Sequence, residues 1–327
     1  MSDYLWDKSG EPDQEIERLE RLLGQFAWSG DVRLQADHGR ASKAGRYVGI
    51  LLLAASLALM VGGLTFAFRF RPAVASWQVT TTAGQSSLPV GGLLETGARE
   101  QASFNVADIG TVRVEPNTRL RLLDTRAGNH RLELLRGTMH ATIWAPPNQF
   151  FVETPSTLAV DLGCAYTLTV DDEGTGLVSV LVGWVGFKWR DRESFIPAGS
   201  ACATRPRIGP GTPYNEGVSP QYREALSTID FTPGSPGVAG ALTLVLSESA
   251  ERDEVTLWHL LSRVPASDRD RVFDRLAMLV APPAGVTRDG IRIGDRKMLD
   301  LWWDALGLGS TSLWRTWSQQ WTDNSKK

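Results

Sequence analysis

The chain has 327 residues and a formal net charge of −3 at pH 7. This length allows two folded domains plus shorter segments, and the balanced charge argues against a general affinity for nucleic acid. The chain contains only two cysteines and four histidines, and none of them forms a pair with the spacing of zinc ligands. We therefore expect no metal, no other cofactor and no direct contact with nucleic acid.

Residues 1–46 form a small arm in which one amphipathic helix is predicted. Pro12 suits the first position of a helix that continues to about residue 26. Five apolar residues share one face of this helix: Ile16, Leu19, Leu22, Leu23 and Phe26. A single helix cannot bury this stripe alone, so we expect it to bind a partner protein, the membrane surface or a second copy, or to pack on Trp6 and Trp28. The alternative is a loosely ordered tether.

Residues 47–68 form an apolar run of 22 residues without a charge. As a helix this run is about 33 Å long, close to the roughly 30 Å hydrocarbon core of a bilayer. Helices of soluble domains rarely lack a polar face over this length, so a transmembrane helix is favoured over a buried core helix. Ala54, Ala58 and Gly62 repeat every four residues, which lets two helices approach closely. A homodimer through the span and a lone span are both consistent with this repeat.

The flanking charges predict the orientation of this span. Four basic residues precede it (Arg33, Arg40, Lys43 and Arg46), whereas only Arg69 and Arg71 follow it closely. Because basic residues favour the cytoplasm, residues 1–46 are expected inside the cell and residues 69–327 outside the membrane. The alternative is a signal peptide, since Ala73-Val74-Ala75 resembles a cleavage site. The long apolar run and the long acidic segment before it make cleavage the weaker interpretation.

Residues 76–205 show the alternation of β-strands. Apolar residues alternate with polar ones at Val112 to Leu122, and similar short runs follow at 132–134, 138–143, 150–154, 166–170 and 177–187. Turn-forming sequences separate these runs, for example Ala127-Gly128-Asn129 and Asp171-Asp172-Glu173-Gly174. Short strands at this spacing predict an all-β domain built from hairpins, with a weak, solenoid-like repeat at Gly110, Gly137 and Gly183.

The remainder of the chain is predicted to be a linker followed by helices. Residues 206–240 are rich in proline and glycine, and they are typical of a linker or an irregular packed strap, with one short helix near residues 221–227. Residues 241–327 form a small, tryptophan-rich helical domain in this interpretation. Apolar stripes predict helices over about 255–264, 267–280 and 295–306.

No arrangement of side chains in the sequence predicts catalysis. His38, His130, His140 and His259 are scattered, and none has a visible nucleophile beside it. Gly183-Trp184-Val185-Gly186 is not a phosphate-binding loop, because neither a lysine nor a helix start follows it. We therefore expect that the protein is not an enzyme.

The strand region resembles the FecR domain. Residues 110–120 (GTVRVEPNTRL) are similar to its opening strands, and residues 132–139 (LELLRGTM) to its middle strand and glycine turn. Phe151-Val152-Glu153-Thr154-Pro155 is similar to its V-x-T-P element. Residues 163–170 (GCAYTLTV) and 178–185 (VSVLVGWV) resemble the strands that follow, and Pro197-Ala198-Gly199 resembles the closing turn. The likeness covers roughly residues 104–205, and Cys164 stands where the family commonly has threonine.

This resemblance implies a bacterial transmembrane regulator. The fold class is then a membrane-anchored α+β protein: one transmembrane helix, an all-β periplasmic domain and a small C-terminal α-helical domain. Members of the family place an anti-sigma segment in the cytoplasm, respond to an outer-membrane or periplasmic partner and control an extracytoplasmic-function sigma factor. The implied location is the bacterial inner membrane. The arm of 46 residues is short for an anti-sigma domain, and the C-terminal helices differ from the signalling module of some members. The alternative function is therefore a membrane-anchored periplasmic scaffold without a transcriptional role.

A disulfide between Cys164 and Cys202 is expected if both lie outside the membrane. Cys164 lies on a predicted strand, and Cys202 follows the glycine turn that closes the same domain. An oxidising compartment permits such a bond. The alternative is two unrelated buried thiols.

Overall fold

The computed structural model describes residues 76–308, all of which lie in one compact unit of the chain. The predicted cytoplasmic helix and the predicted span lie outside this range, as do residues 309–327. Within residues 76–308, none of the helices has the length and the apolar character needed to cross a membrane.

The described residues before position 216 form strands. In chain order they are β1 (Ser76–Thr81), β2 (Gly84–Pro89), β3 (Leu93–Glu95), β4 (Ala102–Val106), β5 (Gly110–Val114), β6 (Arg119–Arg126), β7 (Asn129–Ile143), β8 (Phe150–Glu153), β9 (Leu158–Asp161), β10 (Ala165–Val170), β11 (Gly176–Val182), β12 (Trp184–Trp189), β13 (Arg192–Pro197), β14 (Ser200–Arg205), β15 (Gly209–Pro210) and β16 (Tyr214–Asn215).

These strands form two sheets that share β7. The front sheet has the order β2-β1-β4-β5-β7-β10-β11-β14, with β15 and β16 paired to β14. The back sheet has the order β3-β6-β7-β8-β9-β12-β13. All these pairs are antiparallel except β7–β8, which is parallel. The prediction of an all-β region is thus confirmed as a mainly antiparallel structure with a helical part behind it.

One apolar core lies between the two sheets. In β5, for example, Val112 and Val114 are buried whereas Thr111 and Arg113 are exposed, as the alternation predicts. Trp77 of β1 stacks on Phe104 with ring centroids 5.2 Å apart. Its indole N–H donates to the Thr125 hydroxyl of the back sheet over 2.8 Å, so this large side chain joins the two sheets.

Strand β7 passes from one sheet to the other at Gly137. Leu132 and Leu134 are buried before this point and Met139 and Ala141 after it, so the buried side switches from even to odd positions. This switch requires one extra residue in β7, and Gly137 is at that position with φ of +93°. A Cβ atom on residue 137 would lie only 2.4 Å from Cα of Thr118. The Thr118 hydroxyl accepts from the Thr138 N–H over 2.9 Å, which satisfies a backbone donor at the corner.

Six helices follow in the described part of the chain. They are α1 (Pro220–Phe231), α2 (Val238–Glu248), α3 (Glu254–Arg263), α4 (Ala266–Leu279), α5 (Arg288–Ile293) and α6 (Arg296–Ala305). Helices α3, α4 and α6 correspond to the three predicted apolar stripes. Residues 206–240, predicted as a linker or packed strap with a short helix near 221–227, contain β15, β16 and α1. The Ser219 hydroxyl caps α1 by accepting from the Tyr222 N–H.

The helices cover the outer face of the back sheet at β8, β9, β12 and β13 and build a second core there. Phe151, Val160 and Phe195 face this second core, whereas their chain neighbours Phe150, Ala159 and Ile196 face the core between the sheets. Strands β8, β9 and β13 are therefore buried on both faces. The result is three layers: front sheet, back sheet and helices.

Candidate functional site between the sandwich and the helices

Asp230 is a buried carboxylate at the junction of the back sheet and the helices. It lies in the last turn of α1 and is 3% exposed. Arg192 of β13 donates to its Oδ1 over 2.6 Å and Arg263 of α3 over 3.2 Å. The backbone N–H of Thr212 donates to its Oδ2 over 2.5 Å, and the Thr212 hydroxyl donates to Oδ1 over 3.0 Å. Because the carboxylate has four donors, its burial is compensated.

Arg263 extends this junction to three further acceptors. Its Nη1 donates to the Pro210 carbonyl over 2.9 Å, and its Nη2 donates to the Glu193 carbonyl over 3.0 Å and the Ser194 hydroxyl over 2.6 Å. Arg263 ends α3, where a cation is favoured by the helix dipole. Its planar guanidinium therefore fastens α3 to β13 and to β15.

A cavity of about 490 Å³ opens beside this junction. Its wall includes Trp189, Arg190, Arg192 and Arg207. Arg190 and Arg207 both adopt left-handed backbone conformations, with φ of +53° and +67°. Trp189 Nε1 and Arg192 Nε are buried donors without a hydrogen-bond partner among the described residues.

Unsatisfied N–H donors beside arginines suit an acceptor group such as a carboxylate. Asp191, Glu193 and Asp230 line the same cavity and limit its positive charge. Burial, followed by the nearby Arg263, lowers the pKa of Arg192, whereas Asp230 raises it. The arrangement can therefore bind an acceptor group.

His259 provides a neutral link between the same two layers. Its Nδ1 lies 2.8 Å from the Val255 carbonyl and therefore carries the proton, while Nε2 accepts from the Phe195 N–H over 3.1 Å. Burial, with a smaller contribution from Arg263, lowers the pKa of His259 to about 3. The ring is also surrounded by Trp258 and Trp303, with centroids 5.0 and 6.1 Å away.

The structure contradicts the predicted disulfide, because Cys164 and Cys202 are both free and buried. Strand β11 lies between the two cysteines. Cys202 of β14 is opposite Val178 of β11, and Val178 is opposite Leu168 of β10. Leu168 is four positions from Cys164 along the chain. Two strand spacings and four residues correspond to roughly 15 Å, far beyond the ~7 Å limit between the Cα atoms of a disulfide. Spacing along the chain could not reveal the intervening strand.

Cys164 instead donates its thiol to a buried carboxylate, Asp161. The Sγ–Oδ2 distance is 2.8 Å, and the Gly163 N–H donates to Oδ1 over 2.7 Å. Burial raises the pKa of Asp161 to about 7, although both hydrogen bonds oppose this shift. Burial, together with the charge of Asp161, also raises the pKa of the Cys164 thiol, so this cysteine is a poor nucleophile.

The other predicted site residues lie outside the described residues. They are the arm stripe, Ile16, Leu19, Leu22, Leu23 and Phe26, and the small-residue face of the span, Ala54, Ala58 and Gly62. Both remain predictions. Sequence reasoning did not find the Asp230 cluster, because its members are separated by 33 and 38 positions along the chain. The one available signal was Arg263, a charge inside the predicted apolar helix 255–264.

The comparisons with known proteins bear on the strand region. Residues 92–186 match the family model FecR, described as FecR protein. The match runs from the turn before β3 into β12 and includes parts of both sheets. It confirms the resemblance to the FecR domain that the sequence predicted. No curated protein matches the chain.

Two solved structures are similar to part of the chain. Both are crystal structures of a "putative anti-sigma factor" from Parabacteroides distasonis ATCC 8503, at 1.65 and 2.50 Å resolution. Each is 17% identical with a TM-score of 0.34, and the alignments cover 41% of this chain. They cover 63% and 62% of those chains, so the likeness spans less than two thirds of their length.

Proposed function

We propose that the protein is a single-pass membrane regulator of the FecR type, which acts on an extracytoplasmic-function sigma factor without catalysis. The FecR match over residues 92–186 carries this proposal. In this scheme residues 47–68 span the bacterial inner membrane, the arm lies in the cytoplasm and the described unit lies in the periplasm. The described unit then receives a signal from an outer-membrane or periplasmic protein.

Such a regulator needs two binding surfaces and a change of state that links them. The Asp230 junction suits this requirement within the periplasmic part, because it holds the helices firmly to the FecR domain. A partner that binds the helices therefore acts on the same rigid body as a partner that binds the sandwich. The stripe formed by Ile16, Leu19, Leu22, Leu23 and Phe26 supplies the cytoplasmic surface in this proposal.

Charge insertion into the arm tests the proposal. Replacing Leu19 and Leu23 with Asp places two carboxylates where an apolar groove of the sigma factor would bury them. Binding of the sigma factor to the purified full chain should be lost, and expression of its target genes should change. The control replaces Gln14 and Gln25 with Asp, which adds the same charge on the opposite face of the predicted helix.

A scaffold function is the alternative, and the same experiment separates the two. A scaffold's arm is only a tether, so both double variants would leave target expression unchanged at normal protein levels. Co-purification of the full chain with a cytosolic sigma factor, lost on deletion of residues 1–28, would support the regulator. An envelope partner that co-purifies equally with and without the arm would support the scaffold.

A further inference from the structure

The two ends of the sandwich differ in charge. The strand register places Ser76, where β1 begins, at the same end as the turns and loops 90–92, 107–109, 144–149, 162–164 and 198–199. We call this the entry end. The exposed charged residues at this end are few: Asp108 in these loops, Arg126 at the β6–β7 turn and Glu216, whose N–H donates to the Gly199 carbonyl. The turns of the front sheet at the opposite, far end carry many charges: Arg99, Glu100, Glu115, Asp171, Asp172, Glu173 and Arg207.

Four of the six large apolar side chains that are exposed in the described strand region lie at the entry end. Val90 is 47% exposed, Trp144 62%, Leu181 77% and Val182 58%. Val90 directly follows Pro89, which pairs with Ser76, and Trp144 directly follows the last residue of β7. Val182 is the last residue of β11 and is opposite Ala165. Each therefore lies at or just beyond the end of a strand, and these side chains make an apolar rim.

Trp144 is held in its exposed position by a hydrogen bond. Its indole N–H donates to the Asp108 carbonyl over 3.0 Å, so the ring is fixed on the 107–109 turn. Tryptophan combines an apolar ring with one polar N–H group, and it is the residue most typical of the boundary between lipid and water. Pro146 and Pro147 follow it in a loop without charges.

We infer that the entry end, through Val90, Trp144, Leu181 and Val182, lies on the lipid surface of the bilayer that residues 47–68 are proposed to span. This inference rests on the proposed function. Only residues 69–75 separate the predicted span from Ser76, and a chain of seven residues reaches at most about 25 Å. The entry end must therefore stay near the membrane, and it carries fewer charges than the far end. The contact is apolar, since the four rim side chains are uncharged and Arg126 at this end is paired with Asp124.

Fluorescent labels on the full chain in phosphatidylcholine nanodiscs test this inference. Cys164 and Cys202 are buried, so a single added cysteine can be labelled in the folded protein. We propose Val90→Cys and Leu181→Cys at the entry end, with Ala83→Cys and Glu173→Cys at the far end as matched exposed controls. Lipids carrying a quencher near the headgroup should remove most of the fluorescence at the entry end and little at the far end, at both low and high salt.

The outcomes separate this inference from the proposed function. Nanodiscs that contain the protein but quench both ends equally, or neither end, would overturn the inference alone. A chain that does not incorporate into nanodiscs would overturn the membrane topology and the inference with it. A variant with both Leu181→Asp and Trp144→Asp should reduce the quenching of a label at position 90. Unchanged quenching in that variant would show that the rim does not make the contact.

Discussion

Two buried aspartates in this unit have different environments. Asp230 has two guanidinium groups beside it, whereas Asp161 has a backbone N–H and a thiol as its donors. Neutral donors do not offset the cost of burying a full charge, and for this reason the pKa of Asp161 rises to about 7. Of the carboxylates in the described residues, Asp161 is the one whose charge depends most on pH near neutrality, as in a periplasmic setting.

The first prediction concerns the stability of the fold against pH. The pKa of Asp161 is raised from an ordinary 3.8 to about 7, so folding favours the protonated form. The contribution of Asp161 to the free energy of unfolding is fully present below about pH 4. It is lost as the pH rises through 7, and the loss is at most roughly 4 kcal/mol. Asp161→Asn should flatten this fall between about pH 5 and pH 8.

Thermal unfolding of the full chain in detergent, followed by circular dichroism across this pH range, measures the effect. The difference between wild type and variant isolates Asp161, because other titrating groups are common to both. Glu173→Gln, which removes an exposed carboxylate in the β10–β11 turn, is the control for the loss of one negative charge. Parallel pH profiles for Asp161→Asn and wild type would contradict the prediction.

At the scale of elements, β7 determines how the two sheets are joined. Its 15 residues pair with β6 and β8 in the back sheet and with β5 and β10 in the front sheet. The change of sheet depends on the left-handed conformation of Gly137 and on its close approach to Thr118. A side chain at position 137 would meet the backbone of Thr118, which cannot move without disturbing β6.

The second prediction follows from this contact. Gly137→Ala should lower the free energy of unfolding by roughly 3 kcal/mol or more, through both strain and steric overlap. Gly128→Ala is a matched control in the β6–β7 turn, with φ of +76° and nothing within 4 Å of the added Cβ. It should cost only about 1 kcal/mol. Chemical unfolding of both variants gives the comparison, and equal losses would show that the corner is not tightly packed.

The sequence predicted the elements that have one buried face. Strands β5 and β10 alternate, and helices α4 and α6 carry single stripes, since each meets solvent on its other side. Helix α3 was also predicted from a stripe, although residues 255–261 are buried on all sides. Strands β9 and β13 did not stand out, because helices and sandwich bury both of their faces. The run 177–187 was predicted as one strand. It is divided into β11 and β12 at Gly183, which packs against Gly163.

The candidate site was harder to predict than the fold. Cys164 and Cys202 were paired by their position in one domain, but pairing needs the order of strands across the sheet, which alternation does not contain. Asp230, Arg192 and Arg263 come from α1, β13 and α3, and only the docking of helices on the back sheet brings them together. Long-range packing of this kind leaves no periodic signal in a single sequence.

At the scale of the whole molecule, the helices and the sandwich form one body. Phe195 of β13 contacts His259 and Trp303 of the helical layer, with ring centroids 6.0 and 5.2 Å apart. The Asp230 cluster and the His259–Phe195 hydrogen bond add polar links across the same boundary. We therefore expect the two parts to lie on the same side of the membrane.

The third prediction is that topology. A reporter active only in the cytoplasm should be active when fused before Met1 and inactive when fused after Lys327, because the basic residues favour a cytoplasmic arm. A periplasmic reporter such as a secreted phosphatase should give the reverse pattern. Cytoplasmic activity of the fusion after Lys327 would contradict both the orientation and the proposed periplasmic location of the FecR domain.

The position of β1 has a mechanical consequence. This strand receives the chain at Ser76, and it pairs with β2 along its length and with β4 over its last three residues. A force that draws Ser76 out of the entry end acts along the axis of β1, perpendicular to its hydrogen bonds. Those bonds are then loaded together in shear and do not open one after another. If a partner in the envelope pulls on the unit while the span holds the chain, β1 acts as a clamp that transmits tension before it yields.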